Sequence, residues 1–338
     1  MPFAIQLKKR HLALFGGSLV ALAVLASAPQ LLGDVVADGI HGLSAATPAW
    51  LWIAALCFAA SLGTSGCAWQ FALTRCGGET TRADSSARYC TGSLVNAVAP
   101  ARVGSAVRIG LLSRTLHAEG RLWTVGGIAA SLAAVRALWL SLVLAFASAS
   151  GVLPAWPIAV LVLGAAVAAV VAWRARDSRP GSRAAHVLDV FRILGRCPRA
   201  GLQLAGWVGL GMAAKIAAAA AVCAAFGIER PLAAALLIIP ALDLAGLLPL
   251  TPGNVGVSSA AVAFALTAHG AAGDVAVSAG IALGAVETLT TLACGSASLL
   301  YFAAQRADER RWQTALAAST ACFALGAAFG ATVLVPLV

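Results

Sequence analysis

Apolar residues run along this chain in long blocks, and polar residues collect between the blocks. Stretches at about 11–33, 49–73, 122–149, 154–173, 201–226, 275–303 and 313–336 each provide the ~20 residues that a helix needs to cross a hydrocarbon layer. The pattern predicts an all-α, polytopic integral membrane protein with about seven full spans. Two further apolar segments do not behave as spans. Residues 89–121 hold the apolar run "YCTGSLVNAVAPA" but begin and end among basic residues. Residues 231–270 hold two apolar runs separated by "TPGNVG", the second of them short for a crossing. Each segment carries Pro-x-x-Val-Gly at its centre, as Pro100 to Gly104 and as Pro252 to Gly256.

Composition agrees with the pattern. Of 338 residues, 60% are hydrophobic and 11% charged, too little polar surface for a soluble fold of this size. Lys8 to Arg10 precede the first block, but that block is longer than the h-region of a cleaved leader, so it reads as a retained helix. The net charge of +10 does not indicate nucleic-acid binding, because the basic residues cluster in four places: 8–10, 75–121, 174–199 and 306–311. Clusters of this kind between spans mark cytoplasmic loops. They place the N-terminus inside and the C-terminus outside, and anionic head groups also attract them. The eight cysteines form no CxxC and indicate neither a disulfide framework nor a zinc site. No metal-ligand spacing or nucleotide-binding motif is present, and no cofactor is expected.

Threaded with basic loops inside, 89–121 starts and ends in the cytoplasm, and 231–270 starts and ends outside. Both then read as re-entrant or broken-helix segments entering from opposite faces, as in inverted-topology repeats. Interrupted segments at matching positions of two halves point to a transporter's binding site. By pattern alone, ordinary interfacial turns explain the Pro and Gly equally well. The chain is a single membrane domain over 1–338. Its first half, about 1–173, holds the motif 96–108. A basic loop, 174–200, follows, and the second half, about 201–338, holds the motif 249–257.

The residues "NAVAPARVGSAVRIGLLSR" and "LLPLTPGNVGVSSAAVAFALTAHGAAGDVAVSAGIAL" resemble the lysylphosphatidylglycerol synthase transmembrane-region family, also called flippase-like. The matching positions are Asn96, Pro100, Arg102, Gly104, Arg108 and Leu112, then Pro249, Pro252, Gly253, Gly256 and Val257. The chain departs from the family's pattern in three places. Ser258 and Ser259 stand where a Glu is usual, Glu287 is the nearest charge where an Arg is usual near Gly284, and Arg136 lies beside Val135 and Trp139. These departures imply a divergent branch. No segment reads as the family's soluble aminoacyltransferase domain, so synthesis of lysylphosphatidylglycerol is not expected.

The resemblance implies a lipid flippase-like transporter with an anionic membrane lipid as substrate. Arg102 and Arg108 would bind its phosphate, since a guanidinium fork grips phosphate oxygens in pairs. Gly104 would let the backbone approach, and a helix beginning there would aim free N–H groups at the same anion. Pro252, Gly253, Asn254, Gly256 and Ser258 would offer a polar second half. Anchoring by the positive-inside rule is the plainer account of the arginines. Arg136, Lys215, Asp243 and Glu287 fall inside predicted spans, where charges are costly and pair or line a cavity. Lys215 with Asp243, and Arg136 with Glu287, is one expected pairing. Two further readings are a polyprenyl-phosphate-sugar-dependent glycosyltransferase using Asp34 and Asp38, and a non-catalytic partner of an envelope-lipid enzyme. A homo-oligomer is compatible with each, and the bacterial cytoplasmic membrane is the expected location.

Overall fold

The computed structural model describes residues 46–98, 103–117, 120–149, 159, 162, 183–195, 197–246 and 255–305. Among them every regular element is a helix. These are α1 (Pro48–Arg75), α2 (Arg82–Val98), α3 (Val103–Ser113), α4 (Arg121–Ala149), α5 (Arg183–Gly195), α6 (Pro198–Ala225), α7 (Pro231–Ala245), α8 (Val255–Ala268) and α9 (Gly273–Gln305). The predicted spans 11–33 and 313–336, both termini, and all of 154–173 except residues 159 and 162 lie outside the described residues.

Among the described residues, four helices are long and apolar enough to cross a membrane: α1, α4, α6 and α9, with 28, 29, 28 and 33 residues. At 1.5 Å per residue they extend about 42–50 Å, more than the ~30 Å hydrocarbon thickness, so their polar ends reach the interfaces. Pro48, Pro198 and Pro231 open α1, α6 and α7, where a missing N–H costs nothing. Just past the C-terminal ends of α1 and α6, Gly77 (φ 83°) and Gly227 (φ 67°) take the left-handed backbone that ends a helix.

The two segments that did not read as spans fold as helix pairs. α2 and α3 form one hairpin, closed at its base by Glu79 N–H donating to the Thr115 carbonyl at 3.2 Å. α7 and α8 form the other, and at its base His269 Nε2 lies 3.3 Å from the Glu229 carbonyl. α1 and α6 run antiparallel: Thr47 N–H, at the start of α1, donates to the Ala225 carbonyl at the end of α6 at 3.0 Å. The first hairpin therefore starts at one end of the α1–α6 pair and the second at the other. Each hairpin reaches roughly half-way along the long helices. Leu94 meets Gly295 of α9, and Asp243 meets Arg136 near the middle of α4.

Small residues allow this packing, as is usual between membrane helices. Gly66 of α1 lies against Ser86 of α2, Gly211 of α6 against Thr64 of α1, and Gly209 against the Trp139 ring. Apolar side chains gather in two clusters. One joins Trp69 and Leu73 of α1 to Leu112, Ile128 and Val190 at the end where the first hairpin begins. The other joins Phe58 to Val222, Ile238, Leu266 and Leu283 at the opposite end.

One element departs from the sequence reading. Residues 183–195, taken as part of a basic loop, form α5, which buries Val190 and Leu194. Apolar residues at helical spacing within "VLDVFRIL" carry that face, and Gly127 of α4 gives it room.

Candidate functional site

A cavity of about 630 Å3 lies among the long helices, with Asn96 and Ala97 at the inner end of α2 and Leu244 and Gly246 at the inner end of α7 on its lining. Arg108, Arg136, Lys215, Asp243 and Glu287 all line it, three cations and two carboxylates. Asn96 and Ser258, one from each hairpin, also line it, as do Ser93, Thr288 and Thr291. Five ionisable side chains of this kind in a membrane-spanning region are tolerable only where they pair or meet water.

The pairing is the reverse of the one expected. Arg136 of α4 grips Asp243 of α7 with two hydrogen bonds, Nη2 to Oδ1 at 2.6 Å and Nε to Oδ2 at 3.1 Å. Lys215 of α6 stands 3.7 Å from Glu287 of α9, an ion pair too long for a hydrogen bond. The arrangement follows from the hairpin geometry. Asp243 sits at the inner end of α7 and so faces the middle of α4, whereas Glu287 lies near the middle of α9, at the level of Lys215 on α6. Trp139, one turn beyond Arg136, donates from Nε1 to the Ala205 carbonyl at 2.9 Å and holds α4 against α6.

Arg108 is held differently. Among the described residues it forms no ion pair. Nη2 donates to Ser93 Oγ at 2.9 Å, and the guanidinium carbon lies 4.0 Å from the centroid of the Tyr89 ring. Nε is buried without a partner. Leaving a buried donor unpaired costs about 1–3 kcal/mol, and with one hydrogen bond from Nη2 the guanidinium keeps further N–H donors that the described residues do not use. Gly92 makes this position accessible: a Cβ there would come within 2.7 Å of Arg108 Cβ and 3.1 Å of its Nε.

The other motif residues hold the hairpin in shape. Asn96 Oδ1 accepts from Ser105 N–H at 3.1 Å, and Asn96 Nδ2 donates to Ser105 Oγ at 3.3 Å. The amide thus caps a free N–H of α3 from the facing helix. Gly104 sits where α2 and α3 cross, and a Cβ there would strike the Gly92 carbonyl and the Asn96 backbone. It lies at this crossing and not on the lining of the cavity. Gly256, with nothing near its Cβ position, is not on the lining either. Arg88, counted with the basic loop, clamps the hairpin by pairing with Asp84 and donating Nη1 to the Leu111 carbonyl at 2.6 Å. Pro100, Arg102, Pro252, Gly253 and Asn254 lie outside the described residues.

Tyr89 and Ser93 were not among the residues singled out in the sequence. Their signal was present, since Tyr89, Ser93 and Asn96 fall at i, i+4 and i+7 on one face of α2.

Two hairpins that start from opposite ends of a helical bundle and enclose a charged cavity define a polytopic membrane protein with an internal polar site. The model of the lysylphosphatidylglycerol synthase TM region matches residues 13–295, and the chain belongs to that family. No curated protein matches the chain. Membership and the four apolar helices together make it a multi-pass membrane protein of a family concerned with membrane lipids.

Proposed function

We propose that this protein moves an anionic membrane lipid, either a phospholipid or a polyprenyl-phosphate-linked lipid, between the leaflets of a bacterial cytoplasmic membrane. Arg108 carries the reading. Its guanidinium lines a cavity between the inner ends of α2 and α7, has no carboxylate partner, and donates to the protein only from Nη2, to Ser93, among the described residues. Such a group suits phosphate oxygens, which take two parallel N–H bonds from a guanidinium. Ser93, Asn96, Ser258, Thr288 and Thr291 make polar the lining that the rest of a head group would meet. The two ion pairs leave most of the other cavity charge neutralised, so a single phosphate meets a net attraction. Rocking of one half against the other would expose the site to each leaflet in turn.

The test uses the full chain reconstituted in vesicles of neutral lipid containing a head-group-labelled phosphatidylglycerol or polyprenyl phosphate. Scrambling should exceed that of protein-free vesicles. Arg108→Ala should lower the rate about 10–100-fold, the equivalent of losing a charge-assisted hydrogen bond of ~1.5–3 kcal/mol. Arg102→Ala, from the same motif, is measured alongside. A wild-type rate equal to that of empty vesicles for every phosphate lipid tried would rule the transport reading out.

A further inference from the structure

A second cavity of about 310 Å3 adjoins the first and is bounded on its far side by Ser61, Ser65 and Ser105. The two cavities have Tyr89, Arg108, Ala133 and Arg136 in common. Arg136 is committed to Asp243, so Arg108 is the shared cation with donors to spare. What holds its guanidinium between the two spaces is one face of α2. The Tyr89 ring lies against the guanidinium 4.0 Å away, and Ser93, one turn on, takes a hydrogen bond at its edge. An aromatic face attracts and orients a cation without neutralising it, and it occupies none of the in-plane N–H donors. A carboxylate in the same place would have satisfied the charge and closed the site.

We propose that Tyr89 is a positioning residue that sets Arg108 as one anchor common to both cavities. A lipid phosphate held there keeps the same guanidinium while its head group passes from the smaller compartment to the larger. This rests on the reading that Arg108 binds a lipid phosphate. Retaining one partner throughout spares the phosphate from crossing the apolar interior without a counter-charge, the costliest part of such a passage.

Dioctanoyl phosphatidylglycerol titrated into the full chain in neutral detergent gives the affinity, and the vesicle assay gives the rate. Tyr89→Phe keeps the ring and should bind within about twofold of wild type, whereas Tyr89→Leu keeps apolar bulk without the ring face and should raise Kd about tenfold. A residue that merely fills space would show no such split between Phe and Leu. Ala129→Phe narrows the smaller cavity alone, since Ala129 does not line the larger. It should slow scrambling about tenfold and leave Kd within about twofold. Equal Kd values for the Phe and Leu variants remove the positioning role, and an unchanged rate in Ala129→Phe removes the shared path. Wild-type binding without scrambling would overturn transport and leave the positioning role to stand on the Kd values. A wild-type chain that binds no phosphate lipid overturns both.

Discussion

Whether a charged side chain can reach a mid-height cavity is decided here by missing methyl groups. Gly92 and Gly104 face each other where α2 crosses α3. Without a Cβ on either, the helices come close enough for Asn96 to cap Ser105 and for Arg108 to lie along α2 under Tyr89. Gly104→Ala forces the arms apart, because the added atom meets backbone, which cannot rotate away. Overpacking of this kind costs about 1–3 kcal/mol. The variant should therefore unfold at lower temperature in detergent and bind phosphate lipid more weakly, as the Asn96 cap and the Arg108 placement fail together. Gly110→Ala is the control. It lies on the same helix with nothing within 4 Å of its Cβ position, so its unfolding temperature should match or exceed the wild type, as Ala favours helix over Gly. A loss in Gly110→Ala as large as in Gly104→Ala would mean that helix propensity, and not the crossing, is what Gly104 serves.

Among the described residues, Arg136 of α4 on Asp243 of α7 is an ion pair that joins the two halves. The two side chains are 37% and 23% exposed, so the pair is worth less than the ~3–5 kcal/mol lost on breaking a fully buried one. Asp243→Ala should cost about 1–3 kcal/mol and leave Arg136 as a second unpaired cation in the cavity beside Arg108, tightening phosphate binding while destabilising the fold. The exchange Arg136→Asp with Asp243→Arg should restore thermal stability beyond either single change. If it does no better than the singles, the contact is incidental to how α7 docks. The partners themselves were not legible from sequence, because they lie 107 positions apart and either carboxylate suits either cation. What selects them is the depth to which each hairpin penetrates, a tertiary property. Spans were readable to within three residues at the ends of α1, α4, α6 and α9, since about 20 apolar residues in a row have few other uses. The Pro-x-x-Val-Gly breaks and the charge pattern also disclosed both hairpins. α5 escaped notice because seven basic residues in its loop masked a short amphipathic face. Tyr89 escaped because aromatic residues near apolar helix surfaces are commonplace, and only its contact with Arg108 sets it apart.

At the scale of the molecule, a long helix, a hairpin and a second long helix occur twice in order among the described residues: α1, α2–α3 and α4, then α6, α7–α8 and α9. Because α1 and α6 are antiparallel, whatever end of the bundle receives the base of one hairpin, the opposite end receives the other. The distribution of charge orients this frame. Arg75, Arg82, Arg114 and Arg121 surround the first base, while Glu229 and Arg230 flank the second with no net positive charge, and by the positive-inside rule we propose that the first base faces the cytoplasm. A cavity lined from hairpins of opposite origin suits the proposed exchange between leaflets, because each half contributes to it from its own end of the bundle. Glu79 and Glu229 mark the two bases and both are exposed. In intact cells, a membrane-impermeant maleimide should label Glu229→Cys above the background of the native cysteines, and label Glu79→Cys only after the membrane is opened. The reverse order would invert the orientation and keep the twofold relation. Labelling of both variants from the same side would remove that relation, and with it the basis for alternating access in this fold.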